Sequence, residues 1–251
     1  MKYIAIIPSR YGSTRFPGKP LAEIDGKPMI RHVYERVQEV YSDCCVATDD
    51  ERIKAVVEGF GGEAIMTSSS HRSGTDRCRE ALELYEQHKG ERFDVVVNVQ
   101  GDEPFIRAEH LEAVREGFRS PEAEIVTLAH RIEEGATVTD PNSPKVVLTR
   151  EGYAMYFSRS PIPYIRGCSQ EDWVAAHDFL KHIGIYGYRS DVLREITGLE
   201  QGVLEKAESL EQLRWLENGY RIKVVTVSEG TIGVDTPEDL IRIQKLIKTV
   251  I

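Results

Sequence analysis

Residues 3–20 read Tyr-Ile-Ala-Ile-Ile-Pro-Ser-Arg-Tyr-Gly-Ser-Thr-Arg-Phe-Pro-Gly-Lys-Pro, an apolar run followed directly by a loop rich in glycine and cations. The apolar run predicts a first, buried strand. Residues 1–22 contain no acid but four cations, Lys2, Arg10, Arg15 and Lys19, on a chain of formal charge −9. Glycine lets the backbone approach a ligand closely, and Arg and Lys donate to oxyanions. The loop is therefore predicted to bind phosphate, and a triphosphate suits it best.

Two familiar phosphate motifs do not fit this loop. Five residues separate Gly12 from Gly18, and Lys19 is followed by a proline, which offers no hydroxyl for magnesium; a Walker A loop has four intervening residues and a Ser or Thr there. The dinucleotide fingerprint G-x-G-x-x-G is also missing. The alternative interpretation is a solvated surface turn with scattered charges, and the position after the first strand argues against it.

Length and composition favour one large α/β domain over residues 1–251, because 251 residues with 41% hydrophobic content suffice for a real core. The excess of acids argues against a nucleic-acid or membrane-surface binder. No apolar run approaches membrane-spanning length, so a cytosolic protein is expected. The four cysteines form no C-x-x-C pair and are interpreted as buried, reduced thiols rather than metal ligands: Cys44, Cys45, Cys78 and Cys168.

Strand and helix patterns alternate through the first half, which is typical of a mainly parallel sheet covered by helices. The predicted strands are residues 2–8, 44–48, 63–67, 93–99 and 125–131. The pattern then changes: residues 145–149 and 153–157 predict a hairpin with Gly152 in the turn, followed by a Pro-rich segment and a strand at 181–188. Helices are predicted at 190–198 and 208–218, a strand at 221–227, and a final helix capped by Thr236.

Two acids stand where ligands of open α/β sheets bind. Asp102 follows the central strand in Gln100-Gly101-Asp102-Glu103-Pro104, and Asp235 precedes the last helix in Gly233-Val234-Asp235-Thr236-Pro237. Mg²⁺ takes one or two protein carboxylates and completes its shell with phosphate and water. Together with the cationic loop, the acids predict a magnesium site; singly, each could be a turn or capping residue.

Other candidates have structural alternatives of equal standing. Thr75 opens a helix and either contacts the nucleotide or caps that helix. His182 and Tyr186 share one face of a strand, where a lone histidine is more often structural. Arg159 follows the hairpin, and Glu211-Gln212 sits in an amphipathic helix whose charged pair could be only a solvated face.

The combination of motifs closely resembles the family of 3-deoxy-manno-octulosonate (Kdo) cytidylyltransferases. The match runs in order from residue 4 to about 240, and its most specific motifs follow residue 150: Tyr156-Phe157-Ser158-Arg159, His182-Ile183-Gly184-Ile185-Tyr186-Gly187-Tyr188-Arg189, Leu210-Glu211-Gln212-Leu213-Arg214 and Gly233-Val234-Asp235-Thr236-Pro237. The resemblance implies a three-layer, Rossmann-like nucleotidyltransferase fold with a mainly parallel mixed sheet and a hairpin extension. It also implies a cytosolic homodimer that uses Mg²⁺ to make CMP-Kdo and pyrophosphate from CTP and Kdo, for lipopolysaccharide synthesis.

Residue roles follow from the same resemblance. Arg10, Ser13, Arg15 and Lys19 would hold the triphosphate, with Thr75 near the nucleotide, and Arg15 and Lys19 would also act in catalysis. Asp102 and Asp235 would hold magnesium at the catalytic centre. The sugar acid would be bound by Gln100, Arg159, His182, Tyr186, Glu211 and Gln212. Residues 145–190 are expected to contribute to the sugar site and to the dimer interface.

Three other functions stay open at this point. The chain could activate another 2-keto sugar acid, such as a sialic acid or an amino analogue of Kdo. It could be a metal-dependent glycosyltransferase, although Asp102-Glu103 lacks the usual D-x-D spacing. It could be a nucleotide sensor without turnover, although retention of both carboxylates argues against that.

Overall fold

The computed structural model describes residues 1–12 and 15–250, with the backbone alone for residues 245–250. They form two compact units: residues 1–111 together with the chain from Thr231 onward, and residues 112–230.

The first unit is built on parallel strands. Its sheet contains β1 (Tyr3–Ser9), β4 (Cys44–Thr48), β5 (Ala64–Met66) and β6 (Val95–Asn98) in the order β6-β1-β4-β5, and a two-stranded ribbon of β2 (Glu23–Ile24) and β3 (Lys27–Pro28) stands apart. All residues of β4 and β6 are buried. The carboxyl ends of these parallel strands share one edge of the sheet, so the loops after β1 and β6 leave it side by side.

Helices pack on this sheet through the apolar faces that the sequence predicts. The first is α1 (Met29–Gln38), whose Met29, Ile30, Val33 and Val37 are buried. It is followed by α2 (Glu51–Gly59) and α3 (Gly74–Lys89); α4 (Ala108–Gly117) contains residue 111, at which the first unit ends. Asp50 and Ser73 cap α2 and α3 by accepting backbone hydrogen bonds, and Gly90 ends α3 with φ +68°.

The second unit has a mixed sheet. Its strands are β7 (Ile125–Arg131), β8 (Lys145–Leu148), β9 (Ala154–Ser158), β10 (Leu180–Arg189) and β11 (Ile222–Val227). β11 runs parallel to β7, and the pairs β7–β10, β10–β8 and β8–β9 are antiparallel. Its helices are α5 (Gly135–Thr139), α6 (Trp173–Ala176), α7 (Ser190–Ile196), α8 (Val203–Glu208) and α9 (Gln212–Glu217). The α/β class is thus confirmed.

The predicted hairpin is confirmed: β8 and β9 flank a turn in which Gly152 has φ +76°. The helix predicted over 208–218 is confirmed for residues 212–217, where α9 lies. It begins later than predicted, because α8 ends at Glu208 and Ser209 adopts the left-handed conformation with φ +51° between the two helices.

The chain ends in α10 (Pro237–Val250), which belongs to the first unit. The Thr236 hydroxyl oxygen accepts a hydrogen bond from the Asp239 amide at 3.2 Å and donates to its carboxylate at 3.0 Å, as the predicted cap requires. Within the described part of the chain, every helix is too short or too polar to cross a bilayer.

Candidate active site

A cavity of about 280 Å³ lies in the first unit, where the segments after β1, before α3 and after β6 meet Asp235. Five cations and two acids line it: Arg10, Arg15, Lys19, Arg72, Arg77, Asp102 and Asp235. Gln100 lies in the same wall. The fold therefore brings the predicted phosphate loop and both predicted carboxylates to one place, and the surplus of positive charge suits an anionic ligand.

Lys19 lies between the two carboxylates. Its Nζ is 2.6 Å from Asp102 Oδ2 and 3.3 Å from Asp235 Oδ1, and only 11% of its side chain is exposed. Arg15 Nη2 reaches the same Asp235 oxygen at 3.1 Å. The Val234 amide donates to the Asp102 carbonyl at 2.9 Å, which ties the two acidic segments together. Both carboxylates thus converge on one point that a cation occupies.

This donor set fits magnesium. No cluster of three or more His, Cys, Asp or Glu side chains occurs among the described residues, so a cage made of protein alone is absent there. Mg²⁺ needs only one or two carboxylates when a phosphate ligand is present. Asp102 and Asp235 supply that number, and a turn presents Asp102: a Cβ at Gly101 would lie 2.5 Å from Ser9 Oγ, so glycine is required there.

The phosphate loop closes at its base through a hydrogen bond from the Gly18 amide to the Tyr11 carbonyl, 2.9 Å. Gly18 has φ +72°, and its missing side chain leaves room for the Tyr11 ring. The Arg52 guanidinium lies over this ring, 3.4 Å from its centroid. The loop is therefore braced at Tyr11. Ser13, which the sequence predicts to bind the nucleotide, lies outside the described residues.

Thr75 is 98% buried and does not line the cavity; its neighbours Ser73 and Gly74 do. Ser73, not Thr75, caps α3, because its hydroxyl accepts the Asp76 amide at 3.1 Å. Three further cavity residues were not predicted from the sequence: His71, Arg72 and Arg77. The only sequence feature that pointed to this region was the motif Ser73-Gly74-Thr75-Asp76-Arg77 at the start of a helix, which contains Arg77 and directly follows the other two residues.

Arg77 is the best fixed of these three residues. It is 4% exposed, and its guanidinium donates to Thr67 Oγ1 at 2.6 Å and to Asp49 Oδ2 at 2.9 Å. A buried charge held in this way keeps one orientation. It therefore presents a fixed cationic wall to the cavity.

In the second unit, His182 and Tyr186 lie together as predicted, with ring centroids 5.4 Å apart. β10 shifts register between Ile183 and Tyr186, and the Thr127 hydroxyl lies at this irregularity, within hydrogen-bond distance of the carbonyl oxygens of Ile183 and Ile185 at 3.1 and 2.8 Å. The same hydroxyl oxygen lies 3.0 Å from His182 Nε2.

The contact between Thr127 and His182 bears on the tautomer of the ring. When the Thr127 hydroxyl donates to a carbonyl, its oxygen accepts from Nε2 and the ring proton lies on Nε2. Burial lowers the pKa of His182 to about 3, so the ring is neutral at physiological pH. Its Nδ1 is left as an acceptor for a ligand hydroxyl.

Gln212 is 4% exposed, and its Nε2 has no hydrogen-bond partner among the described residues. An unsatisfied buried amide is costly, so such a group is usually completed by water or ligand. Glu211 precedes it, 3.8 Å from Arg214. Burial raises the pKa of Tyr186, which keeps its phenol protonated beside Trp215.

Arg159 makes contacts of another kind. Its guanidinium donates to three backbone carbonyls, those of Glu208, Pro141 and Ser209, at 2.7, 2.8 and 3.2 Å. Three of its five N–H groups are thereby used within the protein. Its assignment to the sugar acid stays a prediction.

A cationic loop and a carboxylate pair at the carboxyl edge of a parallel α/β sheet suit an enzyme that transfers a phosphoryl or nucleotidyl group. Known proteins agree with this class. Residues 4–223 match the family model described as cytidylyltransferase. The 3-deoxy-manno-octulosonate cytidylyltransferases of Parabacteroides distasonis and Bacteroides thetaiotaomicron are 56% and 54% identical, over 96% and 99% of both chains respectively. A solved structure of CMP:2-keto-3-deoxy-manno-octonic acid synthetase complexed with CTP is 44% identical over 100% of both chains, with a TM-score of 0.90.

The chain belongs to the cytidylyltransferase family, among the 3-deoxy-manno-octulosonate cytidylyltransferases. The resemblance stated from the motifs is confirmed, and the chain is an enzyme of the nucleotidyltransferase class.

Proposed function

We propose that this chain transfers CMP from CTP to the anomeric hydroxyl of Kdo, giving CMP-Kdo and pyrophosphate for lipopolysaccharide synthesis. The observation that carries the proposal is the position of Lys19 between Asp102 and Asp235 in a cavity with a surplus of cations. Relatives with this activity in their names match over nearly the whole chain.

The reaction needs charge neutralisation more than proton transfer. The sugar hydroxyl oxygen forms a bond to the α-phosphorus, the bond from that phosphorus to the bridging oxygen breaks, and pyrophosphate leaves with the electron pair. Arg15 and Lys19 are placed to bind the oxygens on which negative charge develops. The hydroxyl proton passes to solvent, since no side chain of the cavity is assigned as a base.

Magnesium would be held by Asp102 and Asp235, and when bound it supplies charge neutralisation on the triphosphate. Lys19 and Arg15 hold the same carboxylates in the free protein, so they orient the acids before a nucleotide arrives.

The sugar acid would be bound by the polar groups of the second unit. His182 offers a neutral acceptor at Nδ1, and Gln212 offers an unused donor at Nε2. These two groups suit the hydroxyls and the carboxylate of a sugar acid. Arg159, Tyr186 and Glu211 complete the proposed set in this unit, and Gln100, in the cavity wall of the first unit, is proposed from the family resemblance.

We further propose a homodimer in the cytoplasm, with residues 145–190 at the interface. This proposal rests on the family resemblance and on β9, which pairs with β8 alone and exposes Met155. Analytical ultracentrifugation tests it directly: a single species of monomer mass over the micromolar range would refute the dimer.

The activity is tested by pyrophosphate release from CTP with Mg²⁺ and each of three acids: Kdo, its amino analogue and a sialic acid. Kdo is expected to give the highest kcat/KM, and chelation of the metal should abolish turnover. A higher kcat/KM with another acid would identify that acid as the substrate. CTP binding without turnover of any acid would indicate a sensor, and sugar transfer without pyrophosphate would indicate a glycosyltransferase.

A further inference from the structure

Lys145, the first residue of β8, is completely buried. Its ammonium donates to the carbonyl of Arg159 at 2.5 Å and to that of Asp140 at 3.0 Å. Burial lowers the pKa of this lysine, while the carboxylates of Asp140 and Glu208 act in the opposite direction. A buried ammonium is costly unless it is well paired, and no step of the reaction above uses it.

Glu208 completes the arrangement from the other side. Its carboxylate accepts the Arg159 amide at 2.9 Å and the Ser158 hydroxyl at 2.6 Å. The two peptide groups of Arg159 are therefore held by charged side chains of opposite sign: Glu208 holds its N–H and Lys145 holds its carbonyl. Charge-assisted bonds of this kind fix a position better than neutral ones.

The Arg159 side chain extends this anchoring to the turn between α8 and α9. Its guanidinium donates to the carbonyls of Glu208 and Ser209 at 2.7 and 3.2 Å. Ser209 adopts the left-handed conformation, with φ +51°, that ends α8. Glu211 and Gln212 follow within three residues. A shift of Arg159 would therefore move the turn that carries both residues.

We propose that Lys145 and Glu208 are positioning residues, which hold Arg159 and the following 208–212 turn in the arrangement that sugar-acid binding requires. This inference rests on the proposed function, because it places the acid at Arg159, Glu211 and Gln212. It predicts that the pair governs KM for the acid and leaves CTP binding alone.

The test compares three variants: Lys145→Met, Glu208→Gln and the double variant. In Lys145→Met, KM for Kdo should rise about tenfold or more, because small misplacements of binding groups are costly, while KM for CTP stays within about twofold. The melting temperature should fall, since the carbonyls of Asp140 and Arg159 lose the ammonium that they bind. The double variant also removes the opposite charge of Glu208, so its melting temperature should recover in part, but its KM for Kdo should stay high.

Glu86→Gln provides a matched control. Glu86 is also a buried carboxylate that accepts a backbone amide, that of Phe93 at 3.1 Å, but it lies in the first unit and outside the cavity wall. Glu86→Gln should lower the melting temperature without changing KM for Kdo or KM for CTP. Amide hydrogen exchange over residues 208–212 should become faster in Lys145→Met and in the double variant, and stay unchanged in Glu86→Gln.

An unchanged KM for Kdo in Lys145→Met, or a KM that recovers together with the melting temperature in the double variant, would mean that the pair is only structural. Wild-type enzyme distinguishes this outcome from failure of the proposed function. If it prefers another acid, the same KM comparison is made with that acid; if it turns over none, the proposed function fails and this inference fails with it.

Discussion

Replacing Lys19 with glutamine should have opposite effects on the metal and on the nucleotide. In the free protein, the Lys19 ammonium satisfies Asp102 and Asp235 at 2.6 and 3.3 Å. These are the carboxylates that we assign to magnesium, so the lysine and the metal compete for the same oxygens. Without the lysine, the two acids repel each other and are better prepared for a cation.

The magnitudes follow from exposure and charge. The Asp102 and Asp235 side chains are 33% and 49% exposed, so solvent screens both ion pairs and each contributes about 0.2 to 1 kcal/mol. Loss of both ion pairs should lower the Kd for Mg²⁺ in the absence of CTP by about 2- to 30-fold. The nucleotide loses a charge-assisted hydrogen bond worth about 1.5 to 3 kcal/mol, so kcat/KM for CTP should fall about 10- to 150-fold.

Calorimetric titration with Mg²⁺ and steady-state kinetics with CTP measure the two effects on one preparation. Lys89→Gln is the control: its Nζ also lies 2.6 Å from a carboxylate, that of Glu63, but outside the cavity. Lys89→Gln should change neither Mg²⁺ affinity nor kcat/KM for CTP. Weaker or unchanged Mg²⁺ binding in Lys19→Gln would refute the reasoning, because it would mean that the metal does not use these carboxylates.

Four further substitutions test the other assignments. Asp102→Asn and Asp235→Asn should each cost about 3 kcal/mol or more in transition-state stabilisation, while metal-free CTP binding survives; near-normal turnover of both at saturating Mg²⁺ would contradict the metal site. Gln212→Ala should raise KM for Kdo by an amount equivalent to about 1 to 3 kcal/mol with CTP affinity unchanged; a lower melting temperature with both KM values unchanged would instead mark a packing residue. Because His182 has its pKa lowered to about 3 by burial, the unfolded chain binds the proton more readily, and stability should fall as the pH drops from about 6.5 toward 3, by up to about 1.4 kcal/mol per pH unit. Urea unfolding across that range should show a smaller pH dependence for His182→Gln, and an identical dependence would exclude a buried neutral ring.

The strands of the fold were predictable because their apolar runs are short and bounded by turn residues. β4 and β7 begin and end at the predicted residues, 44–48 and 125–131. The late start of α9 was not predictable, since the apolar spacing of Leu210, Leu213 and Leu216 suggests a helix from Ser209 onward. A serine adopts the left-handed conformation only where tertiary contacts support it, and here Arg159 binds its carbonyl.

Residues of the candidate site were predictable where a charged side chain follows a recognisable strand within one motif, as Lys19 and Asp102 do. Arg77 was missed because its position depends on Thr67 and Asp49. A loop separates Thr67 from α3 in the sequence, and α2 and β5 lie between Asp49 and that loop. The two-sided anchoring of Arg159 could not be predicted either. Nothing in the spacing of Lys145 and Glu208 indicates that they meet at one peptide.

Positive and negative side chains are balanced around Asp235. Two carboxylates face two cations, Lys19 and Arg15, at distances of 2.6 to 3.3 Å. Magnesium alone would add positive charge to a balanced cluster, and a triphosphate alone would place negative charge beside both acids. With both bound, the carboxylates would hold the metal while Lys19 and Arg15 would bind phosphate. Because coupling between two ligands is reciprocal, each should favour binding of the other, and Lys19, which would change partners, is the residue that we expect to carry this coupling.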